Sequence, residues 1–291
     1  MSHPVVAIHA GAGDRGAGLL EQQDRHREAL LRALEEARTA LERGHGAVEA
    51  VQAAIVVMES FELFNAGRGS ALCSDGSVEM SAALMRSSDC GAGAVAAVRH
   101  TEHPIHAAAA VMRSPQVLIV GEAADALAER AGLPQRPASY FVTERQRARL
   151  QVAGTARDHA TVGAVCVDAD GLLAAGTSTG GLRGQPPGRV GDCPIIGAGT
   201  WADDRVAVSC TGDGEAFVRA GVARYIGALV EQGVSVYEAA ERALGEVKRL
   251  GAGGGLIAVD RSGDTALPFV TAVMPRGLWR AGGDAEVWVA D

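Results

Sequence analysis

Thr161 heads an alternating run in His159-Ala160-Thr161-Val162-Gly163, and three later segments set a Thr beside Gly. These are Ser178-Thr179-Gly180-Gly181, Gly199-Thr200 and Cys210-Thr211-Gly212-Asp213-Gly214. A Thr hydroxyl is a weak nucleophile that needs an adjacent base. If the chain is cut before Thr161, the new terminus supplies that base. An α-amino group titrates near ~7.7–8, so a sizeable fraction is neutral near pH 7. One residue then holds nucleophile and base together. Thr179 and Thr211 would bring further hydroxyls alongside, and the backbone N–H of Gly212 is a candidate oxyanion donor, because Gly admits close approach. Threonine is also simply β-favouring and glycine turn-forming, so these residues alone leave both readings open.

Between those segments lies Pro187-Gly188-Arg189-Val190-Gly191-Asp192. A guanidinium takes a carboxylate bidentately, and a carboxylate takes an ammonium. Arg189 and Asp192, spaced by small residues, would grip both ends of an α-amino acid zwitterion. The plain alternative is a surface Arg–Asp pair.

Other chemistries fare worse. Gly11-Ala12-Gly13-Asp14-Arg15-Gly16 matches G-x-G-x-x-G after an apolar run. A dinucleotide site also needs a helix returning to a parallel strand with an acidic end, and here a second helix is expected instead. Gly176-Thr177-Ser178-Thr179-Gly180 matches G-x-S-x-G in letters, but Ser178 lacks the strand-turn-helix context of a nucleophile elbow. Cys166 and Cys210 fall inside apolar strands, the setting of inert buried thiols. The histidines show no H-E-x-x-H pairing, and His103 and His106 near a helix start read as surface residues. A catalytic metal is not expected.

Composition narrows the partners. The 291 residues can bury a large core, and 47 % are hydrophobic, yet no apolar run approaches the ~20 residues of a membrane span. Pro4–Ala7 is followed closely by His9 and a glycine-rich turn, so no secretory signal is expected. A net charge of −8 with both signs interspersed offers no basic face to nucleic acid or anionic lipid. The five scattered cysteines lack Cys-x-x-Cys spacing, which points to a reducing cytoplasm. The expected partner is a small molecule or a peptide.

The elements that must position these residues follow from periodicity. Helices are expected over 24–43, with Leu30, Leu34, Ala37 and Leu41 on one face, then from Val48 to Met58, over 104–112, through 122–131, from about 215 to 230, and over 236–250. Val78, Met80, Ala82 and Leu84 alternate as in a half-buried strand. Strands are also expected at 93–98, 117–120, 161–167, 172–177, 206–210, 256–260 and 266–273. The run 143–149 reads as a solvated helix face, and 154–159 as a mobile loop. Adjacent strands in both halves favour sheets covered by helices.

Taken together and in order, H-A-T-V-G, T-S-T-G-G, P-G-R-V-G-D-C-P-I-I-G-A-G and S-C-T-G-D-G-E resemble the plant-type L-asparaginase/isoaspartyl peptidases, which are N-terminal nucleophile hydrolases. I-H-A-G-A-G, F-N-A-G-R-G-S and A-G-A-V-A-A-V extend the resemblance upstream. It implies an α/β (α+β) fold, a four-layer αββα sandwich made as a precursor. Residues 1–291 form one hydrolase domain, cut between Ala160 and Thr161 into an α chain, 1–160, and a β chain, 161–291. By motif position Thr161 is the nucleophile, Thr179 the second hydroxyl, and Thr211 with Gly212 the oxyanion site. Arg189 and Asp192 hold the substrate, with Val190, Gly191, Asp213 and Gly214 around them. Asn65 supports the nucleophile, and 62–64 carries a structural sodium ion; no other cofactor is implied. The implied partner is a homodimer of the cleaved αβ unit. The activity is release of ammonia from asparagine and of amino acids from β-aspartyl dipeptides. Glycosylasparaginase-like activity, a threonine endopeptidase and a non-cleaving amino-acid-binding member are the alternatives. Ala160 stands where the family usually has Gly; at positive φ its Cβ would add strain of about 1 kcal/mol and slow processing. Ser81 replaces an expected Asp, Arg86 an acidic residue, and Ala10 a Gly.

Overall fold

The alternating runs around Thr161 and Thr179 pair with each other and form the middle of the molecule. A computed structural model of the chain describes residues 3–14, 17–151 and 161–290. In chain order the strands are β1 (Val5–His9), β2 (Met80–Arg86), β3 (Ala92–Val98), β4 (Leu118–Val120), β5 (Val162–Val167), β6 (Leu173–Thr179), β7 (Thr200–Ala202), β8 (Val206–Gly212), β9 (Gly254–Asp260), β10 (Thr265–Ala266), β11 (Arg276–Arg280) and β12 (Glu286–Trp288). The helices are α1 (Ala17–Glu21), α2 (Gln23–Glu42), α3 (Ala47–Ser60), α4 (Pro104–Met112), α5 (Glu122–Arg130), α6 (Ala138–Phe141), α7 (Glu144–Gln151), α8 (Gly214–Ala220), α9 (Val222–Glu231) and α10 (Val236–Arg249).

One sheet runs β12-β11-β1-β5-β6-β2-β3-β4 and the other β10-β9-β8-β7. Leu30, Leu34, Val51, Ile55 and Ile105 from α2, α3 and α4 pack on the outer face of the larger sheet. Phe217, Ile226, Ala243 and Val247 from α8, α9 and α10 cover the smaller one. A third apolar layer, including Val5, Ala7, Val165, Ala175, Ala207 and Ile257, lies between the sheets. Three buried layers separate four layers of structure, the αββα sandwich expected from the resemblance.

Strand periodicity decides what faces that gap, since alternate side chains point to opposite faces. In β5 and β6 the even residues Val162, Ala164, Cys166 and Ala174 join the helix-side core, and the odd residues Val165, Val167, Leu173 and Ala175 join the gap. In β8, Val206, Val208 and Cys210 face the helices while Ala207 faces the gap. Extending this rhythm puts His9, Thr161, Gly163, Thr177, Thr179, Ser209 and Thr211 in the gap at one end of the sheets. The apolar residues fill the other end.

Several expectations need correction. β2 is buried on both faces, because helices cover one side and the second sheet the other. The helix expected over 215–230 is two, broken at Gly221, which takes left-handed backbone at φ 58°. The strand expected over 266–273 survives only as Thr265–Ala266, and the chain then crosses to add β11 and β12 beside β1. β1 pairs antiparallel with both β5 and β11, so no parallel βαβ unit forms around the glycine-rich turn. The expected loop at 154–159, and Ala160 with it, lie outside the described residues. No helix among the described residues is long and apolar enough to cross a membrane.

Candidate active site

Thr161 immediately precedes β5, and Thr179 ends β6 beside it. The Thr161 hydroxyl donates to Thr179 Oγ1 at 3.2 Å, and both residues are buried. Gly181 N–H donates to Thr179 Oγ1 at 3.0 Å, which fixes that oxygen. Asn65 holds the turn that follows. Its Nδ2 donates to Gly181 O at 2.7 Å, its Oδ1 accepts from Ala71 N at 2.6 Å, and its carbonyl accepts from Gly180 N at 3.0 Å. On the opposing sheet Thr211 is fully buried, and its Oγ1 accepts from Ala12 N at 3.2 Å. Among the described residues the Thr211 hydroxyl proton has no acceptor.

The three consecutive hydroxyls of β6 go in alternating directions, as a strand requires. Thr177 and Thr179 face the gap, and Ser178 faces the helices, where it donates to Glu59 Oε1 at 2.6 Å. Glu59 is buried and also accepts from Ile105 N at 3.1 Å, with His103 Nδ1 3.2 Å from its second oxygen. Burial pulls the His103 pKa down, and the bond and charge of Glu59 more than offset it, so it ends above the usual value. His103 is therefore a structural partner of the β6 strand rather than a surface residue.

Arg189 and Asp192 do converge. A Cβ on Gly214 would lie 2.9 Å from both Arg189 Nη2 and Asp192 Oδ1, so only Gly leaves the space between them open. Asp192 is buried, and among the described residues its Oδ2 has no hydrogen-bond partner. Burial pushes its carboxyl up to about 7, with the Arg189 charge pulling the other way. Glu215 grips Arg189 through Nε at 3.0 Å and Nη2 at 2.9 Å, and Gln185 Oε1 lies 3.4 Å from Nη1. Those bonds orient the fork and leave further guanidinium protons for a ligand. Gly199 N donates to Asp192 O, and Gly199 O lies 3.3 Å from Thr177 Oγ1. Asp192 thus stands directly behind the strand that carries Thr179. Val190 and Gly191 only span the two charges, with Gly191 packed against the guanidinium. Asp213 places its Oδ2 3.4 Å from Gly253 N and lines a side cleft of about 270 Å³ with Leu182, Glu215 and Arg219. A larger cavity, about 620 Å³ and lined by Arg32, Glu49 and His106 among others, shares no residue with this cluster.

Sequence reasoning missed the residues that brace the clamp. Glu215 is 26 positions from Arg189, and Glu79, which accepts from Gly188 N at 2.6 Å, is 109 positions from that glycine. Two departures have a clear place in the fold. Ser81 pairs with Thr179 across β2 and β6, and Arg86 meets Asp89 at 2.8 Å on the surface. In the segment expected to hold sodium, Arg145 Nη1 donates to Glu62 O at 3.1 Å and Leu63 O at 2.7 Å. A sodium ion in that loop would have to use other carbonyls or displace the guanidinium. Among the described residues no group of three or more His, Cys, Asp or Glu converges as metal ligands.

A four-layer αββα frame with a threonine at the head of a central strand is the arrangement of the N-terminal nucleophile hydrolases. Within that class the chain belongs to the asparaginase family, whose model matches residues 2–289. It is 42 % identical to the isoaspartyl peptidase of Escherichia coli K12, covering 98 % of this chain and 94 % of that one. The isoaspartyl peptidase/L-asparaginases of Bos taurus and Homo sapiens are 39 % and 38 % identical, each over 98 % of this chain and 95 % of theirs.

Proposed function

We propose that the chain is a self-processing threonine hydrolase that releases ammonia from L-asparagine and amino acids from β-aspartyl dipeptides. The observation that carries this is the buried Thr161–Thr179 hydroxyl pair at 3.2 Å. The unpaired Asp192 oxygen beside Arg189 and the names of the relatives support it. In the precursor, Thr161 Oγ attacks the carbonyl of Ala160, and the peptide nitrogen becomes a free α-amine. Water then cleaves the resulting ester. In turnover the neutral amine takes the Thr161 hydroxyl proton as Oγ bonds to the side-chain carbonyl of the substrate. The C–N bond breaks, the amine's proton goes to the departing nitrogen, and water hydrolyses the β-aspartyl ester. Thr179 steadies Thr161, and Thr211 with the Gly212 N–H receives the developing oxyanion. Arg189 and Asp192 take the α-carboxylate and α-ammonium.

Cleavage would not separate the halves. β5 and β6 pair with β1 and β2 from before the cut, so chains 1–160 and 161–291 share the central sheet. Cytoplasmic location and a homodimer of this unit complete the proposal.

The test is a denaturing gel of purified protein with N-terminal sequencing of any fragment. A fragment beginning Thr-Val-Gly-Ala is expected, with ammonia released from asparagine. One stable band and no ammonia after long incubation would overturn the proposal. The clamp has its own test. Gly214→Ala places a methyl between Arg189 and Asp192, and KM for asparagine should rise at least roughly tenfold while kcat falls less. An unchanged KM would remove that gap from the binding site.

A further inference from the structure

His9 takes no part in the steps above. It ends β1 on the gap face, where Val5 and Ala7 precede it. An imidazole there is completely buried, and both its nitrogens are engaged. Nδ1 lies 3.0 Å from Thr161 O, and Nε2 lies 3.1 Å from Ser209 Oγ. A carbonyl only accepts, so the proton sits on Nδ1, and Nε2 accepts from the Ser209 hydroxyl. Burial pushes the His9 pKa down to about 3, with the Thr161 carbonyl as the one opposing cause. The ring is therefore neutral across any working pH.

The hydroxyls continue beyond Ser209. With its own proton given to His9, Ser209 Oγ accepts from Thr177 Oγ1 at 2.7 Å, which in turn accepts from Thr200 Oγ1 at 2.7 Å. Thr200 follows Gly199, whose N–H donates to Asp192 O at 3.2 Å. Gly163 makes room for the junction, since a Cβ there would overlap Ser209 Oγ and His9 Nε2. That gives the glycine of H-A-T-V-G a purpose that its strand position does not.

We infer that His9 is a positioning residue for Thr161, holding its carbonyl through Nδ1–H and tying it through Ser209, Thr177 and Thr200 to the segment that carries Asp192. The inference rests on Thr161 acting as nucleophile. After cleavage Thr161 would be a chain end with no preceding peptide bond, and the ladder to β6 begins only at Val162. Chain ends fray unless tied down. The bond from His9 sets the rotation of Thr161, and with it where Oγ and the amine point. A misplacement of about 1 Å at a reacting group costs on the order of 100-fold in rate.

The experiment measures kcat, KM and pH profiles on asparagine, per mole of cleaved chain, for wild type, His9→Leu, His9→Asn and Ser209→Ala. His9→Leu should lose roughly 100-fold in kcat with KM within about threefold. His9→Asn should recover most of that loss, because Nδ2–H can donate where Nδ1–H did. Its acid limb should stay where wild type has it. Wild-type kcat in a folded, cleaved His9→Leu would overturn the inference, as would an Asn variant no better than Leu. An acid limb abolished by His9→Asn would make His9 a titrating base, which also overturns it. If His9→Leu does not fold, Ser209→Ala decides the matter: kcat should fall several-fold at constant KM, and no change would sink the proposed tie. Failure of the functional reading looks different. Wild type itself would then be inert on asparagine and β-aspartyl dipeptides, and the inference would fall with it.

Discussion

Thr161→Ala is expected to give a folded, uncut chain that releases no ammonia from asparagine. The substitution removes the only hydroxyl proposed to attack, both at Ala160 in the precursor and at the substrate. Turnover should fall by roughly 10⁴-fold or more, as expected when a nucleophile is deleted. The fold should hardly notice. The lost bond is one neutral hydroxyl pair at 3.2 Å, worth about 1 kcal/mol, and the Thr161 carbonyl that His9 holds belongs to the backbone. Intact mass should give one species, thermal unfolding should remain cooperative, and an ammonia assay should stay at background. Thr161→Ser keeps the hydroxyl and should still cut itself. Ammonia release from Thr161→Ala above background would assign the nucleophile elsewhere.

Much of this site is legible in the sequence because its geometry is local. Alternation through Thr161–Val167 and up to Thr179 fixes which side chains share a face, and a glycine lies within two residues of each reacting hydroxyl. Arg189 and Asp192 sit three residues apart, so one loop brings them together. What was not legible depends on distant pairing. Glu215 orients Arg189 from the first turn of another helix, and Glu59 reaches Ser178 across 119 positions. His9 looked like an ordinary residue in an apolar strand, because nothing local shows that its gap-side neighbours are Ser209 and the Thr161 carbonyl. β7 and β12, at three residues each, are too short for a period, and pairing with remote partners creates them, as it does β11 beside β1. Gly221 could be read as a helical residue until α9 needed a new direction.

Asp192→Asn is expected to make the protein more stable and much less active. The carboxyl of Asp192 is buried with one oxygen unpaired, and burial raises its pKa to about 7, while Arg189 lowers it and Glu215 raises it. An unfolded Asp ionises near 3.8. Below that value neither state is charged and Asp192 costs nothing. As pH rises from there to about 7 the unfolded chain gains the charge first, so wild-type stability falls, and above about 7 the deficit is constant. At about 1.4 kcal/mol per unit of pKa, it reaches up to about 4 kcal/mol. Asn carries no such charge. The Tm advantage of Asp192→Asn should therefore grow from pH 5 to pH 8 and amount to several degrees at the upper end. Activity runs the other way, because the ionised carboxylate is what meets the substrate ammonium. Deleting one partner of a buried charge pair costs about 2–5 kcal/mol, so kcat/KM should drop by roughly two to three orders of magnitude. The pH profile separates the two groups. Wild-type kcat/KM needs both an ionised Asp192 and a neutral Thr161 amine, so its acid limb should approach a slope of 2 on a log plot, and Asp192→Asn should retain a slope of 1 from the amine. Equal slopes, or a variant no more stable at pH 8 than at pH 5, would take Asp192 out of the ammonium site.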